Sequence, residues 1–221
     1  MSFLIFGHRG SPRRFPENTV ASFEEALRAG ADGFETDLRL LADRTAVLFH
    51  DHEVGEVEVE TLSSDQVAAD RVDALAQFAG RCTMVLEVKR SKWEDALLER
   101  VEKWPNIIVA SFDHRTIAEL SRRKVAFALG LTLTGAIVDL PAYAKRLGAT
   151  WIFPNNHWVD EDEVRALHAE GLKVIPWTPN RLSEWQRLFG IGCDGIITDL
   201  PAEAVEWRRQ KAEGRGQRDA G

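Results

Sequence analysis

The sequence predicts a (β/α)8 barrel carrying a small β-hairpin after its second strand. Three observations lead there. Eight short apolar, β-branched or aromatic runs recur along the 221 residues, amphipathic helical patterns fill most of the gaps, and polar, reactive residues gather where the runs end. Strands alternating with helices imply parallel pairing through right-handed crossovers. Eight such units at this length favour a closed barrel over an open doubly wound sheet.

The first strand is expected at 3–8, followed by a helix over 18–29 with Asn18 as a plausible N-cap and Gly30 closing it. A second strand at 32–38 runs into Leu38 to Phe49, where the turn signal Asp43-Arg44 is flanked by apolar runs. That gap is too short for a crossover helix, so a hairpin is expected there. With the turn centred between Asp43 and Arg44, paired residue numbers sum to 87 and His50 lies opposite Asp37. The stretch 51–82 is less regular, with one or two short helices around 63–80. Strands then follow at 83–89, 106–112, 124–131, 150–155, 173–178 and 193–198. Helices are expected at 92–103, 114–123, 139–147, 160–170, 181–189 and 201–211. Asp160 is a plausible N-cap, Gly148 and Gly171 suit helix C-termini, and Pro141 and Pro201 suit first turns. Residues 1–211 are expected to form a single barrel domain, and 212–221 a polar, frayed tail.

Bulk properties narrow the function classes. The net charge of −7 argues against non-specific nucleic-acid binding, which needs a basic stripe. No stretch approaches the roughly 20 apolar residues that span a bilayer, and Met1 to Gly7 carries neither a basic leader nor a long apolar run. A cytoplasmic location is therefore expected, with no obligate protein partner implied. Cys82 and Cys193 sit far apart in strand-like runs with no metal or redox spacing, and read as two small buried thiols.

A barrel places its site at the C-terminal ends of its strands. Those ends read His8-Arg9-Gly10, Glu35-Thr36-Asp37, Glu87-Val88-Lys89, Ser111-Phe112 and Trp177-Thr178-Pro179-Asn180. Charges in such apolar runs are costly unless paired or bound to a metal. Glu35 and Asp37 are two apart and share one side of their strand, as do Glu87 and Lys89. Three carboxylates converging on one mouth repel each other. A hard divalent cation, Mg2+ or Ca2+, relieves that repulsion with oxygen ligands, and the absence of histidine-rich spacing disfavours zinc. Ordinary salt bridges across strand ends would give the same pattern. His8 and a hairpin-returned His50 suit a general acid and base. Arg9 and Lys89 add cationic donors suited to a phosphoryl group. Other histidines read as bystanders: His52 borders the site, His114 and His168 are surface groups, and His157 follows the sixth strand, where it could touch substrate. Trp93, Trp104, Trp151, Trp185 and Trp207 read as packing residues.

These segments, taken in order with Pro16-Glu17-Asn18-Thr19, Ser22-Phe23, Ala26, Gly30-Ala31-Asp32, His50-Asp51 and Asp194 through Pro201, resemble the glycerophosphodiester phosphodiesterase family. The resemblance spans nearly the whole chain. It implies a (β/α)8 barrel and hydrolysis of glycerophosphodiesters, small-molecule phosphodiester substrates, to glycerol 3-phosphate and an alcohol. It implies one divalent cation on Glu35, Asp37 and Glu87, and His8 with His50 as the acid–base pair. Arg9 and Lys89 would contact the phosphate, and Phe112 and Trp177 would line the pocket. The chain departs from the family after Asp51, reading His52-Glu53-Val54-Gly55-Glu56-Val57-Glu58 where a Leu-x-Arg-Thr-Thr stretch is usual. Two rival readings are a related phosphodiesterase acting on lysophospholipid or phosphoinositide head groups, and a catalytically silent barrel that binds phosphorylated ligands. The acidic run Glu53, Glu56, Glu58, Glu60 disfavours the first, and the intact histidine and carboxylate set disfavours the second.

Overall fold

A computed structural model describes residues 3–218; Met1, Ser2 and the last three residues of the expected tail lie outside the described residues. The chain runs β1 (Leu4–Gly7), α1 (Val20–Arg28), β2 (Gly33–Leu40), β3 (Ala46–Leu48), β4 (Glu53–Val54), β5 (Val57–Glu58), β6 (Thr83–Val88) and α2 (Glu94–Val101). It continues through β7 (Ile107–Ser111), α3 (His114–Arg122), β8 (Ala128–Leu133), α4 (Leu140–Arg146), β9 (Trp151–Pro154), α5 (Glu161–Ala169), β10 (Lys173–Val174), α6 (Leu182–Gly190), β11 (Gly195–Thr198) and α7 (Pro201–Arg218). The closing helix thus runs past the end expected at 211. No helix among the described residues is long and apolar enough to cross a membrane.

The parallel strands follow the order β10-β9-β8-β7-β6-β2-β1-β11. The last gap closes through Trp177, which bridges Asn155 on one side and Ile197 on the other. The amides of Asp194 and Ile197 donate to the carbonyls of Val174 and Pro176, both at 2.9 Å. The seventh strand, expected over 173–178, is regular only at Lys173–Val174, because Pro176 has no N–H to donate to a ladder. The fifth strand starts at Ala128 rather than 124. Lys124 takes a left-handed φ of 55° as the chain leaves α3, so no strand can begin there.

Side-chain alternation divides the strands into two apolar layers. Phe6, Val85, Ile108, Ala110, Phe153, Ile175 and Ile197 fill the barrel. Ile5, Phe34, Leu38, Met84, Leu86 and Val109 face outward and pack under the helices. Gly130 makes room inside: a Cβ there would sit 2.5 Å from the Phe153 ring. The five tryptophans expected to pack do so, with Trp93, Trp185 and Trp207 buried in the outer layer.

The hairpin differs from expectation by one residue. β2 and β3 pair antiparallel as Leu38↔Leu48 and Leu40↔Ala46, so Phe49, not His50, is hydrogen-bonded to Asp37. The cause is an odd-numbered turn: Leu41 donates to Thr45 at 2.9 Å and Arg44 adopts φ 65°. A second hairpin, β4–β5, turns at Gly55, and the region expected to hold short helices contains a 3-10 turn over Val72–Phe78. Asp160 caps α5 by accepting from Glu163 at 2.9 Å. Asn18 does not cap α1; Thr19 does, because Asn18 is engaged elsewhere.

Burial pushes the Cys82 thiol up to about 11, against a smaller pull from Arg81. It pushes Cys193 up to about 12. Both thiols stay protonated at neutral pH and are poor nucleophiles. Alkylation of the native protein should therefore be slow beside a free thiol. A double Cys→Ser variant should lose stability yet keep turnover per folded molecule close to the parent; a collapse in turnover would contradict this placement.

Candidate active site

The nine residues given a metal, acid–base or substrate role from the sequence line one pocket at the C-terminal end of the barrel: His8, Arg9, Glu35, Asp37, His50, Glu87, Lys89, Phe112 and Trp177. Two halves are apparent. The charged half comes from β1, β2, the hairpin return and β6. The apolar half comes from Val85, Ala110, Phe112, Phe153, Trp177 and Ile197. Phe112 meets Trp177 edge-on with ring centroids 5.5 Å apart, and the Trp177 indole donates to the Phe153 carbonyl at 2.9 Å.

The parallel register sets Asp37 beside Glu87, and alternation puts Glu35 on the same side. All three are buried, and one carboxylate oxygen from each lies within 4.8 Å of the others. Lys89 bridges two of them, at 2.6 Å from Asp37 Oδ1 and in contact with Glu87 Oε1. Arg9 reaches the other side: its amide donates to Glu35 Oε2 at 3.1 Å, and its Nε lies 3.1 Å from Asp37 Oδ2. Gly10 permits this turn, since at φ 88° a Cβ would collide with Ser22. Asn18 then completes Asp37, donating to its Oδ2 at 2.9 Å while accepting from the Asp37 amide and the Thr36 hydroxyl.

The charges do not balance. Burial pushes Glu35 well above the usual carboxylate range, and the neighbouring Asp37 and Glu87 charges push it further. Glu87 is also raised by burial, with Lys89 opposing. Burial raises Asp37 too, but Lys89 and then Arg9 outweigh it and hold the group below its ordinary value. One oxygen of Glu35, Oε1, is buried without a partner. An unpartnered buried oxygen beside two other carboxylates is a donor set that a hard divalent cation could satisfy.

Each histidine has one ring nitrogen engaged. His8 Nδ1 lies 2.7 Å from Asp199 Oδ1. Asn180 donates to the other oxygen of Asp199 at 2.7 Å and accepts from the Asp199 amide at 2.9 Å. Burial raises Asp199, but the His8 hydrogen bond and charge more than offset it, leaving an ionised acceptor for Nδ1–H. His50 Nδ1 lies 2.8 Å from Asp51. Burial lowers His50 below its ordinary value despite the charge of Asp37. With Nδ1 engaged, Nε2 is the nitrogen each ring has free for proton transfer.

Sequence reasoning missed five supporting residues. Asn18 was read as a helix cap, although it stands in the same motif as Glu17. Asp199 and Asn180 were visible as strand-end residues, but nothing in their spacing tied them to His8. Arg39 and Glu60 had no signal at all. His114 was expected at the surface; instead it is half-buried and bridges the Tyr143 hydroxyl and the Thr132 carbonyl at 2.9 and 3.1 Å. His52 and His157 are exposed and lie outside the pocket lining.

The profile of the glycerophosphoryl diester phosphodiesterase family matches residues 8–76 and 76–203. A glycerophosphodiester phosphodiesterase from Bacillus altitudinis is 29% identical over 240 residues, covering 93% of this chain and 98% of its own. One from Caldanaerobacter subterraneus is 25% identical over 241 residues, covering 95% and 99%. Among solved structures, the glycerophosphodiester phosphodiesterase of Thermotoga maritima superposes with a TM-score of 0.81 at 22% identity, over 94% of this chain and 99% of that one. An Oleispira antarctica phosphodiesterase, solved with the product sn-glycerol-3-phosphate, gives 0.84 at 20% identity, over 92% and 95%.

Two substitutions should move the metal-free protein in opposite directions. Asn18→Ala strands buried partners on Asp37 and Thr36 and should cost about 1–3 kcal/mol in denaturant unfolding. Glu35→Gln removes a buried like charge and should stabilise. The sign follows from the raised carboxyl: the parent loses stability as pH rises through the interval between the ordinary and the raised value. The gain from Glu35→Gln should thus be largest at neutral pH and fade toward acid. A loss of stability at neutral pH would contradict the charge imbalance.

Proposed function

The chain belongs to the glycerophosphoryl diester phosphodiesterase family and is a phosphoric diester hydrolase, and from that premise we propose that it hydrolyses glycerophosphodiesters to glycerol 3-phosphate and an alcohol. The observation that carries this reading is one pocket holding three buried carboxylates on one side and two histidines, each anchored through Nδ1, around it. The product held by the Oleispira antarctica relative supports glycerol 3-phosphate as the retained fragment.

In this reading Glu35, Asp37 and Glu87 hold one divalent cation, Mg2+ or Ca2+. When bound, the cation supplies positive charge for the phosphate oxygens and for charge developing on them. Arg9 and Lys89 orient the phosphate from the same side. His50, kept neutral by burial, removes the proton from the attacking water, or from a neighbouring hydroxyl whose cyclic phosphate a water then opens to glycerol 3-phosphate. His8, held by Asp199, delivers a proton to the departing alkoxide as the P–O bond breaks. Phe112 and Trp177 pack against the organic part of the diester and keep bulk water from the leaving group.

Three outcomes test this. EDTA should abolish release of glycerol 3-phosphate from a panel of head-group diesters, and Mg2+ or Ca2+ should restore it and raise the melting temperature. Full turnover by metal-stripped protein would sink the cation's role. His8→Ala and His50→Ala should each cut turnover by ~10²–10⁴-fold without unfolding the protein. On a p-nitrophenyl diester, which needs no general acid, His8→Ala should recover most of its loss while His50→Ala should not; equal recovery by both would refute the division of roles.

A further inference from the structure

Arg39 is a charged side chain with no assigned task. It follows Glu35 and Asp37 at the next position on the same side of β2, yet its side chain is fully buried and cannot touch a substrate. Its guanidinium donates through Nε and Nη2 to the carbonyl of His50, at 3.2 and 2.8 Å, while Nη1 contacts Glu60 Oε1. Glu60 lies in the turn that follows the β4–β5 hairpin, and its second oxygen is buried without a partner. A buried guanidinium is costly to keep. Here its three nitrogens bind two segments that no regular ladder fixes: β3 stops at Leu48, two residues short of His50.

We propose that Arg39, braced by Glu60, is the positioning residue for His50. The hairpin register cannot do this, because its last pair is Leu38↔Leu48 and it ends before the histidine. Two hydrogen bonds from one planar group to one carbonyl fix both the distance and the direction of the His50 backbone. Asp51, which holds the ring, is itself exposed and confers less constraint. Arg39 thereby also ties the hairpin to the pocket in this chain, where His52 to Glu58 departs from the usual family pattern. The inference rests on the catalytic reading of His50.

The test is a double-mutant cycle on the full chain, with kcat and KM measured on a small glycerophosphodiester. Arg39→Lys keeps the charge but cannot place two donors on one carbonyl. It should lower kcat by about ten- to hundredfold, with KM and the cation-induced rise in melting temperature close to the parent. In a His50→Ala background the same substitution should change kcat less than twofold, roughly, since groups acting as a unit are non-additive. Should Arg39→Lys not fold, Glu60→Gln takes its place in the cycle, with a smaller loss of the same kind. A loss that multiplies undiminished in the His50→Ala background, or parent-like kcat in Arg39→Lys, overturns the positioning role alone. Near-parent turnover in His50→Ala by itself overturns the catalytic reading, and the positioning role falls with it.

Discussion

The mouth of this barrel is organised by a surplus of buried negative charge. Glu35, Asp37 and Glu87 are all out of water, and among the described residues Lys89 and Arg9 are the lysine and arginine that reach them. Three like charges against two opposite ones cannot all be satisfied internally. The strain shows at Glu35, the carboxyl with an unpartnered oxygen and a strongly raised proton affinity. Asp37 escapes it because Lys89, Arg9 and Asn18 converge on it. The imbalance accounts for why a hard cation fits this position, and why the cationic side chains sit beside the carboxylates rather than across the pocket.

The fold supplies the geometry that makes this possible. Parallel register places Asp37 against Glu87, and alternation sends the outward neighbours Phe34, Leu38, Leu86 and Val88 into the helix layer. The carboxylates are thus fixed by backbone ladders rather than by loops. The histidine rings are less so, although the His8 amide still extends the β1–β11 ladder by donating to the Thr198 carbonyl at 2.9 Å. His8 follows the end of β1 and His50 follows the end of β3, so each relies on side-chain partners: Asp199 with Asn180 for one, Asp51 and the buried Arg39 for the other. Precision of the carboxylate cluster comes from the sheet, and placement of the two histidine rings from polar networks around it.

How much of this was legible in the sequence follows the same division. The barrel and the pocket-lining residues could be read from strand ends because side-chain period and strand order follow local pattern, and the family from the ordered set of motifs that resembles it. Strand limits failed where a single residue changed the backbone: Lys124 in a left-handed cap delayed β8, and Pro176 broke the ladder of β10. The hairpin register failed by one because an odd-numbered turn cannot be told from an even one by apolar pattern alone. Asn18 looked like a cap because asparagine favours caps; that it instead holds Asp37 depends on a contact across 19 residues. Asp199 lies 191 residues from His8, and no local signal could link them.

The account stands on the excess charge at Glu35, and cation binding by calorimetry in buffers of different ionisation enthalpy measures it directly. Because the metal-free carboxyl holds its proton above the ordinary range, Mg2+ or Ca2+ must displace that proton to bind. Binding to the metal-stripped protein should release protons and tighten as pH rises from the ordinary carboxylate range toward neutrality. Glu35→Gln should lose the linked proton release as well as affinity. Binding that is proton-neutral across that interval, or unchanged in Glu35→Gln, would contradict it.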